Sequence, residues 1–319
     1  MSNRLISVVV PAFNEEECIE ELARRLTLVF EENLRYDFEV ILVENGSTDR
    51  TAELIVLINS RDSRFKMLQL ARNFRMDGGI TAGLEFVNGD ACVIMTADLQ
   101  DPPELISEFI KKWEEGYENI FMQVTSRGGT GPIRRFNSKG FYWLAGKLTA
   151  DRIPRDASDF RLVDRKVYEV VRSMDERNRF VRGLFAWVGF RTVGVKAARP
   201  ERFGGESKAH SLKVIDLAFK GIFAHSYVPL KLIMIVGLTM SALSLVALIP
   251  LSIIWIVNGV PFAGFGSLVA ILLLLLSLVM LMLGVISEYV GLIYEEVKRR
   301  PNFVVRETVG IESGASEGP

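Results

Sequence analysis

Asp98, Gln100 and Asp101 stand together in the stretch MTADLQDPPE, where a run of apolar residues gives out and two prolines follow. Carboxylate and amide oxygens so placed can hold a hard divalent cation, and through it the phosphates of a substrate. Asp98 and Gln100, at i and i+2 of an extended segment, project to one side. The same residues are also ordinary turn formers, and Pro102 and Pro103 suit the first turn of a helix. Two further polar clusters, Ala12–Glu15 and Glu44–Asp49, follow apolar runs in the same way. Here too there are plainer roles. Asn14, Ser47 and Asp49 can cap helices, and for Asp49 the cap is the favoured reading. Asp159 can initiate a turn, Arg161 can make a structural ion pair, and Arg134 and Arg135 can form a solvated helix face. Neither G-x-G-x-x-G after the first apolar run nor G-x-x-x-x-G-K-[ST] is present. Phosphates would then be handled by a metal with Arg and Lys partners rather than by a glycine-rich cradle. With 2 His and 2 Cys in the chain, a zinc site of those residues is not expected.

The elements that must position these clusters alternate in type. LISVVVPAF, FEVILVE, FKMLQL, ACVIM and NIFMQVT read as strands; residues 15–33, 48–59, 78–87 and 102–114 read as helices. Near-continuous apolar strands alternating with helices predict an α/β domain with a mostly parallel sheet covered on both faces. Ligands of such sheets bind beyond the carboxyl ends of the strands, where all three polar clusters fall. Residues 134–148 have an amphipathic helical pattern. DASDFRLVDR is a polar segment leading into a helix, and RPERFGGESK is a glycine-containing loop.

The second half of the chain has a different character. Between Lys231 and Glu288 there is no charged residue. At about 20 residues per span, this leaves room for two membrane helices, residues 229–257 and 267–287, joined by NGVPFAGFG. A buried hairpin in a soluble protein is the competing reading, but soluble helices rarely run so far without a polar face. Lys213, Lys220 and Lys231 precede the hairpin, Lys298, Arg299 and Arg300 follow it, and the turn carries no Lys or Arg. The positive-inside rule then predicts a multi-pass protein of the cytoplasmic membrane with both termini and the α/β domain in the cytoplasm. Leu5–Val10 is too short an apolar run for a signal peptide. SLKVIDLAFKGIF is amphipathic and fits either an interfacial helix or a helix packed on the α/β domain. The expected division is 1–205 catalytic, 206–228 interfacial, 229–290 hairpin and 291–319 cytoplasmic tail, disordered after Arg306. A net charge of −1 gives no sign of a nucleic-acid partner. Spans rich in Gly, Ser and Ala can associate, so a homo-oligomer such as a tetramer is an expectation.

The segments VVVPAFNEEECI, VENGSTDRT, LARNFRMDGGITAGLEFVNGDACVIMTADLQDPPE, ASDFRLVDRKV and RFGGESK occur in the order and spacing of family-2 glycosyltransferases. Within that family the chain most resembles polyprenyl-phosphate glycosyltransferases. That group includes dolichol-phosphate mannose synthase and the bacterial enzymes that glucosylate undecaprenyl phosphate for O-antigen modification. The resemblance implies a GT-A catalytic domain followed by a two-helix transmembrane hairpin, a UDP-sugar donor, a polyprenyl phosphate acceptor, and Mg²⁺ or Mn²⁺. It implies that Pro11, Ala12, Phe13 and Glu15 line the nucleotide pocket, that Glu44, Asn45 and Ser47 face the base, and that Asp98 and Gln100 bind metal. Asp159 matches the carboxylate proposed as catalytic base. Arg127, Arg134, Arg202, Ser207 and Lys208 match groups near the donor diphosphate and acceptor phosphate, and Arg202–Lys208 would close as a flap. The chain departs from the family in three places. Glu44–Asn45 stands for an acidic pair, Thr96 for the first Asp of Asp-x-Asp, and Ala209 for a common aromatic.

The implied reaction is inverting transfer of a hexose, glucose from UDP-glucose first, onto undecaprenyl phosphate at the cytoplasmic face. The alternatives are a nucleotide-sugar-binding membrane scaffold of weak activity, or the same reaction with mannose or an aminoarabinose. A flippase fits less well, since transport paths usually carry intramembrane ionisable groups.

Overall fold

The computed structural model describes residues 3–127, 157–177, 179–199 and 264–311, together with scattered helical positions between 233 and 257. The chain divides into two compact units. One comprises Met1–His210 with Arg300–Pro319, the other Ser211–Arg299.

The first unit is built on an eight-stranded sheet. Four strands alternate with four helices: β1 (Arg4–Ala12), α1 (Ile19–Glu32), β2 (Tyr36–Glu44), α2 (Thr51–Arg61), β3 (Phe65–Leu70), α3 (Arg75–Glu85), β4 (Ala91–Ile94) and α4 (Leu105–Glu114). After them come β5 (Asn119–Arg127), β6 (Ala157–Asp164), α5 (Arg165–Arg172), α6 (Val181–Trp187) and β7 (Thr192–Arg199). A last strand, β8 (Val305–Val309), comes after the apolar unit. The order across the sheet is β7-β5-β6-β4-β1-β2-β3-β8.

Period-two alternation sorts the strand residues between two cores. On β1, Ile6, Val8 and Val10 join α1, α2 and α4 on one face. Val9 points the other way and joins Ile80, Ala82 and Leu84 of α3, Val167 and Val171 of α5, and Leu184 and Phe185 of α6. α1 buries Ile19, Leu22, Leu26 and Val29, one per turn, which is the amphipathic stripe its spacing predicts. Close approach of α3 to the sheet depends on Gly83, where a Cβ would lie 2.3 Å from a Val9 methyl.

Strand direction places the functional edge. β1 pairs in parallel with β2 and β4, and β2 with β3. β6 is inserted antiparallel between β4 and β5, and β5 pairs in parallel with β7. The mostly parallel α/β sheet of the GT-A kind is therefore as expected, with two antiparallel members. The reversal of β6 brings its first residues, Ala157–Asp159, to the edge where β1–β4 end.

Two sequence expectations need correction. DASDFRLVDR is not simply a polar lead into a helix, because Ala157–Asp164 is a strand interior to the sheet. Its polar residues conceal it: Ser158 and Arg161 are buried, with their polar groups satisfied locally. Nor is the tail disordered from Arg306 onward. Met67, Leu68 and Gln69 of β3 pair with Val309, Thr308 and Glu307, and Phe303 and Val305 pack on the α3-side core.

In the second unit, α7 (Phe265–Lys298) is 34 residues long. Its segment Leu278–Lys298 is long and apolar enough to cross a membrane, and Val279, Met280, Leu283, Val290 and Ile293 are exposed along it. The helix covers the expected second span. The described positions between 233 and 257 are helical. The rest of the expected first span, the turn at 258–263 and the expected interfacial helix lie outside the described residues.

Candidate active site

The carboxyl edge carries the three clusters singled out from the sequence. Pro11 and Ala12 are buried at the end of β1, with Phe13 and Glu15 half-buried on the loop beyond. Asn14 takes a left-handed conformation, φ 54°, and ties this loop to the next. Its backbone N donates to Ser47 Oγ at 3.0 Å, and its side-chain Oδ1 accepts from Thr48 N at 2.8 Å. Glu15 N donates to Thr51 Oγ1 at 2.9 Å. Asp49 is not the cap its sequence position suggests, since Arg50 occupies the cap of α2; Asp49 lies one residue earlier and accepts from Thr51 N at 3.0 Å.

Glu44 and Asn45, both buried, organise the second loop from within. Glu44 accepts a short hydrogen bond from Ser47 N. Asn45 donates to Arg75 O at 2.8 Å and accepts from Phe74 N at 2.9 Å, which fastens β2 to the start of α3. Gly46, φ 72°, lies between them. A Cβ there would fall 2.6 Å from the Arg72 carbonyl carbon, so only glycine lets the two loops meet so closely. Glu44 and Asn45 thus shape this loop with hydrogen bonds to backbone groups.

Beyond β4, Asp98 is buried and Gln100 half-buried, with Leu99 between them in a left-handed conformation, φ 58°. Asn14, Arg75 and Leu99 are three of the four non-glycine residues with positive φ among the described residues; Asn14 and Leu99 lie in loops at this edge and Arg75 opens α3. Such strain persists only where the surroundings fix it, and it gathers at functional sites. Asp98 Oδ1 accepts from Thr96 Oγ1 at 2.7 Å and from Gln100 N at 3.3 Å. Thr96 Oγ1 also lies 2.8 Å from Asp101 Oδ2. Thr96 N donates to the same Asp101 oxygen at 3.1 Å. Burial pushes the fully buried Asp101 carboxyl up, against the pull of Arg199 and Thr96. Where the family has a second carboxylate, Thr96 therefore bridges two acids and keeps Asp98 oriented.

Among the described residues no group of three or more His, Cys, Asp or Glu side chains is arranged to hold a metal. A cation bound mainly through substrate phosphates needs fewer protein ligands, one or two carboxylates with other hard oxygens. One buried carboxylate with a neighbouring amide fits that requirement.

Asp101 connects this loop to the far strands. Ser158 Oγ donates to Asp101 Oδ1 at 3.4 Å, and Arg199 Nη2 lies 3.5 Å from the same oxygen. Next in sequence, Asp159 is held in a fork: Arg182 Nε donates to Oδ1 at 2.8 Å and Nη2 to Oδ2 at 2.7 Å. Burial alone would raise the Asp159 carboxyl. Arg182, helped by Arg161 and Arg199, outweighs burial and holds it below the ordinary carboxylate value. Arg161 is structural. It is buried, donates to the Ser158 and Asp159 carbonyls and sits 4.9 Å over the Phe185 ring. Asp77, in the first turn of α3, accepts from Val181 N at 3.0 Å. Burial, with some help from the Asp159 charge, pushes its carboxyl up to about 6 against the pull of Arg182 and Arg179.

Arg182, Asp77 and Arg199 were not legible as site residues. The motif RNRFVRGLF offers three arginines with nothing in the spacing to pick out one. Of the remaining expected residues, Arg127 ends β5, its backbone registered opposite Arg199. Arg134, Arg202, Ser207 and Lys208 lie outside the described residues.

A parallel-rich α/β sheet with strained, acid-bearing loops gathered at one edge places a ligand site beyond the carboxyl ends of its strands. Residues 7–172 match the family model described as glycosyl transferase family 2. The chain belongs to that family and is a glycosyltransferase. Three relatives align with nearly their whole length. An uncharacterized glycosyltransferase of Synechocystis, sll0501, is 39% identical over 96% of this chain and 96% of its own. The uncharacterized glycosyltransferase YkcC of Bacillus subtilis is 40% identical over 96% of this chain and 95% of its own. A prophage-derived bactoprenol glucosyl transferase of Shigella flexneri is 35% identical over 95% of this chain and 98% of its own.

Proposed function

We propose that this glycosyltransferase moves a hexose, glucose from UDP-glucose in the first instance, onto undecaprenyl phosphate at the cytoplasmic face of the membrane. The observation that carries the reading is the reversal of β6, which brings Asp159 to the edge where Asp98 and Gln100 leave β4. That placement is joined to an apolar unit and to relatives named bactoprenol glucosyl transferase.

The acceptor phosphate has a second pKa of about 6, so near neutral pH it is already largely an anionic nucleophile. One of its oxygens forms the bond to the anomeric carbon, while the bond from that carbon to the diphosphate oxygen breaks and UDP departs. A single displacement inverts the anomeric centre. A strong general base is not needed, which suits an Asp159 already engaged by Arg182. As an anion it stabilises positive charge developing at the anomeric carbon. Asp98 and Gln100 would hold Mg²⁺ or Mn²⁺, which when bound supplies Lewis-acid stabilisation of the leaving diphosphate. Pro11, Ala12, Phe13 and Glu15 would line the nucleotide pocket, and Glu44, Asn45 and Ser47 shape the loop against the base. Arg127, Arg134, Arg202, Ser207 and Lys208 would meet the two phosphates. The apolar unit keeps the site at the surface where the lipid phosphate lies, raising its effective concentration.

The test is a donor screen with purified full-length protein, undecaprenyl phosphate and radiolabelled nucleotide sugars, following label into organic-soluble lipid. UDP-glucose is expected to label lipid, and Asp98→Ala to cut the rate at least ~100-fold, as befits loss of a metal-borne charge clamp. Labelling from another donor would replace the sugar assignment. No lipid product from any donor would leave a binding scaffold as the better reading.

A further inference from the structure

We propose that Arg182 is a positioning residue that acts through Asp159: its guanidinium fixes the plane of that carboxylate and keeps it anionic toward the reacting groups. The proposal rests on the transfer reaction put forward above. Its basis is geometric. Two hydrogen bonds of 2.8 and 2.7 Å join a planar fork to a planar carboxylate, the arrangement that constrains orientation as well as charge. The pair is open rather than sealed in the core, with Arg182 27% and Asp159 30% exposed. Each carboxylate oxygen keeps a lone pair that Arg182 does not use.

The neighbours show why an external clamp is required. Asp159 lies where the β5–β6 pairing shifts register between Arg161 and Ala157, and the Ser158 and Asp159 carbonyls are already engaged by Arg161. Arg161 is directed to those carbonyls and to Phe185, so it contributes charge but not orientation. Arg199 of β7 is turned to Asp101. From α3, Asp77 faces the pair with like charge, and the charge of Arg179 ahead of α6 acts on Asp77 and Glu85. Of the groups around Asp159, Arg182 alone bonds both of its oxygens among the described contacts. α6 is itself held in place by the Asp77 carboxylate at Val181 N, so the clamp has a fixed base.

Removing Arg182 leaves burial and the Asp77 charge, which raise the Asp159 pKa, opposed only by the weaker pull of Arg161 and Arg199. Arg182→Gln is therefore expected to lower kcat on the order of tenfold or more, to change KM for the donor little, and to move the acidic limb of kcat against pH to higher pH than in the parent, where protonation of the acceptor phosphate sets it. Arg182→Lys keeps the charge without the fork. It should retain the parent pH profile and lose part of the rate. In an Asp159→Asn background, Arg182→Gln should cost nothing further, because a residue acting through another is silent once that other is gone.

The experiment measures these kinetics on the full-length protein in lipid nanodiscs, with thermal unfolding as a check on folding. The ¹³C carboxyl shift of Asp159 is followed against pH in parent, Arg182→Gln and Arg182→Lys proteins. A higher midpoint in Arg182→Gln, with the rate loss confined to proteins that retain Asp159, supports the proposal. An unchanged kcat and pH profile, or equal losses with and without Asp159, overturns it. Should Arg182→Gln fail to fold, Arg182→Lys decides, since an undiminished kcat there removes the need for a fork. If Asp159→Asn is inactive while Arg182→Gln is silent, only this proposal falls. If the parent protein labels no lipid, the transfer reading falls, and the Asp159 midpoints still decide whether Arg182 holds the carboxylate as an anion.

Discussion

At the scale of single residues, the site is a set of acids whose pKa values are moved in opposite directions by their neighbours. Asp159 is held down by Arg182, while Asp101 and Asp77 are pushed up by burial. Asp77 gives the most direct measurement. Its folded value near 6 exceeds the ordinary 3.8, so the native state holds that proton more tightly than the unfolded chain does. Its contribution to stability is then fully present below about pH 4 and is lost as pH rises through 6. Asp77→Asn keeps an acceptor for Val181 N and removes the titration. It should raise Tm relative to the parent above pH 6, with the difference vanishing near pH 4 in a melting series. The difference is at most roughly 3 kcal/mol, less with the solvent screening of a half-buried group. Asp77 was visible in the sequence only as an acid near a helix start. Val181 is 104 residues away, and no local pattern announces such a partner.

At the scale of elements, the strands that were legible are the ones whose pattern is set by burial alone. β1–β4 are nearly unbroken apolar runs because both of their faces are covered, and their helices follow from a periodic apolar stripe. β6 escaped because buried Ser158 and Arg161 interrupt its apolar pattern, their polar groups being met by hydrogen bonds within the strand. β8 escaped because VRETV gains its apolar environment only by reaching β3 from the other side of the apolar unit. The α3–β1 contact is legible in neither element by itself. Gly83 reads as a poor helix residue, yet it allows α3 to lie against Val9 and Val43. Gly83→Ala improves helix propensity but forces a methyl into 2.3 Å contact. Overpacking of this kind typically costs about 1–3 kcal/mol against about 1 gained from propensity, so a lower unfolding midpoint in denaturant is expected. A midpoint equal to or above the parent's would show that α3 can shift outward freely.

At the scale of the whole molecule, β8 carries a topological consequence. The chain leaves the first unit before Ser211 and rejoins its sheet after Arg299. If the apolar unit crosses a membrane, it must cross an even number of times, because both of its ends serve one folded domain. If α7 supplies one span, the same connectivity calls for a second, and the hairpin is a proposal that labelling can test. Both native cysteines are buried, so introduced thiols can report the sides. In intact cells a membrane-impermeant maleimide should label Gly264→Cys from outside and Glu307→Cys only after permeabilisation. Labelling of both from one side would refute the hairpin. The sequence by itself determined the α/β class, the apolar unit and the three polar clusters, because apolar periodicity, length without charge and strand-end chemistry are local properties. Which acid pairs with which arginine, the reversal that brings Asp159 to the edge, and the return of β8 were decided only in three dimensions. Each of these joins residues far apart in the chain, through contacts that exist only once the sheet has formed.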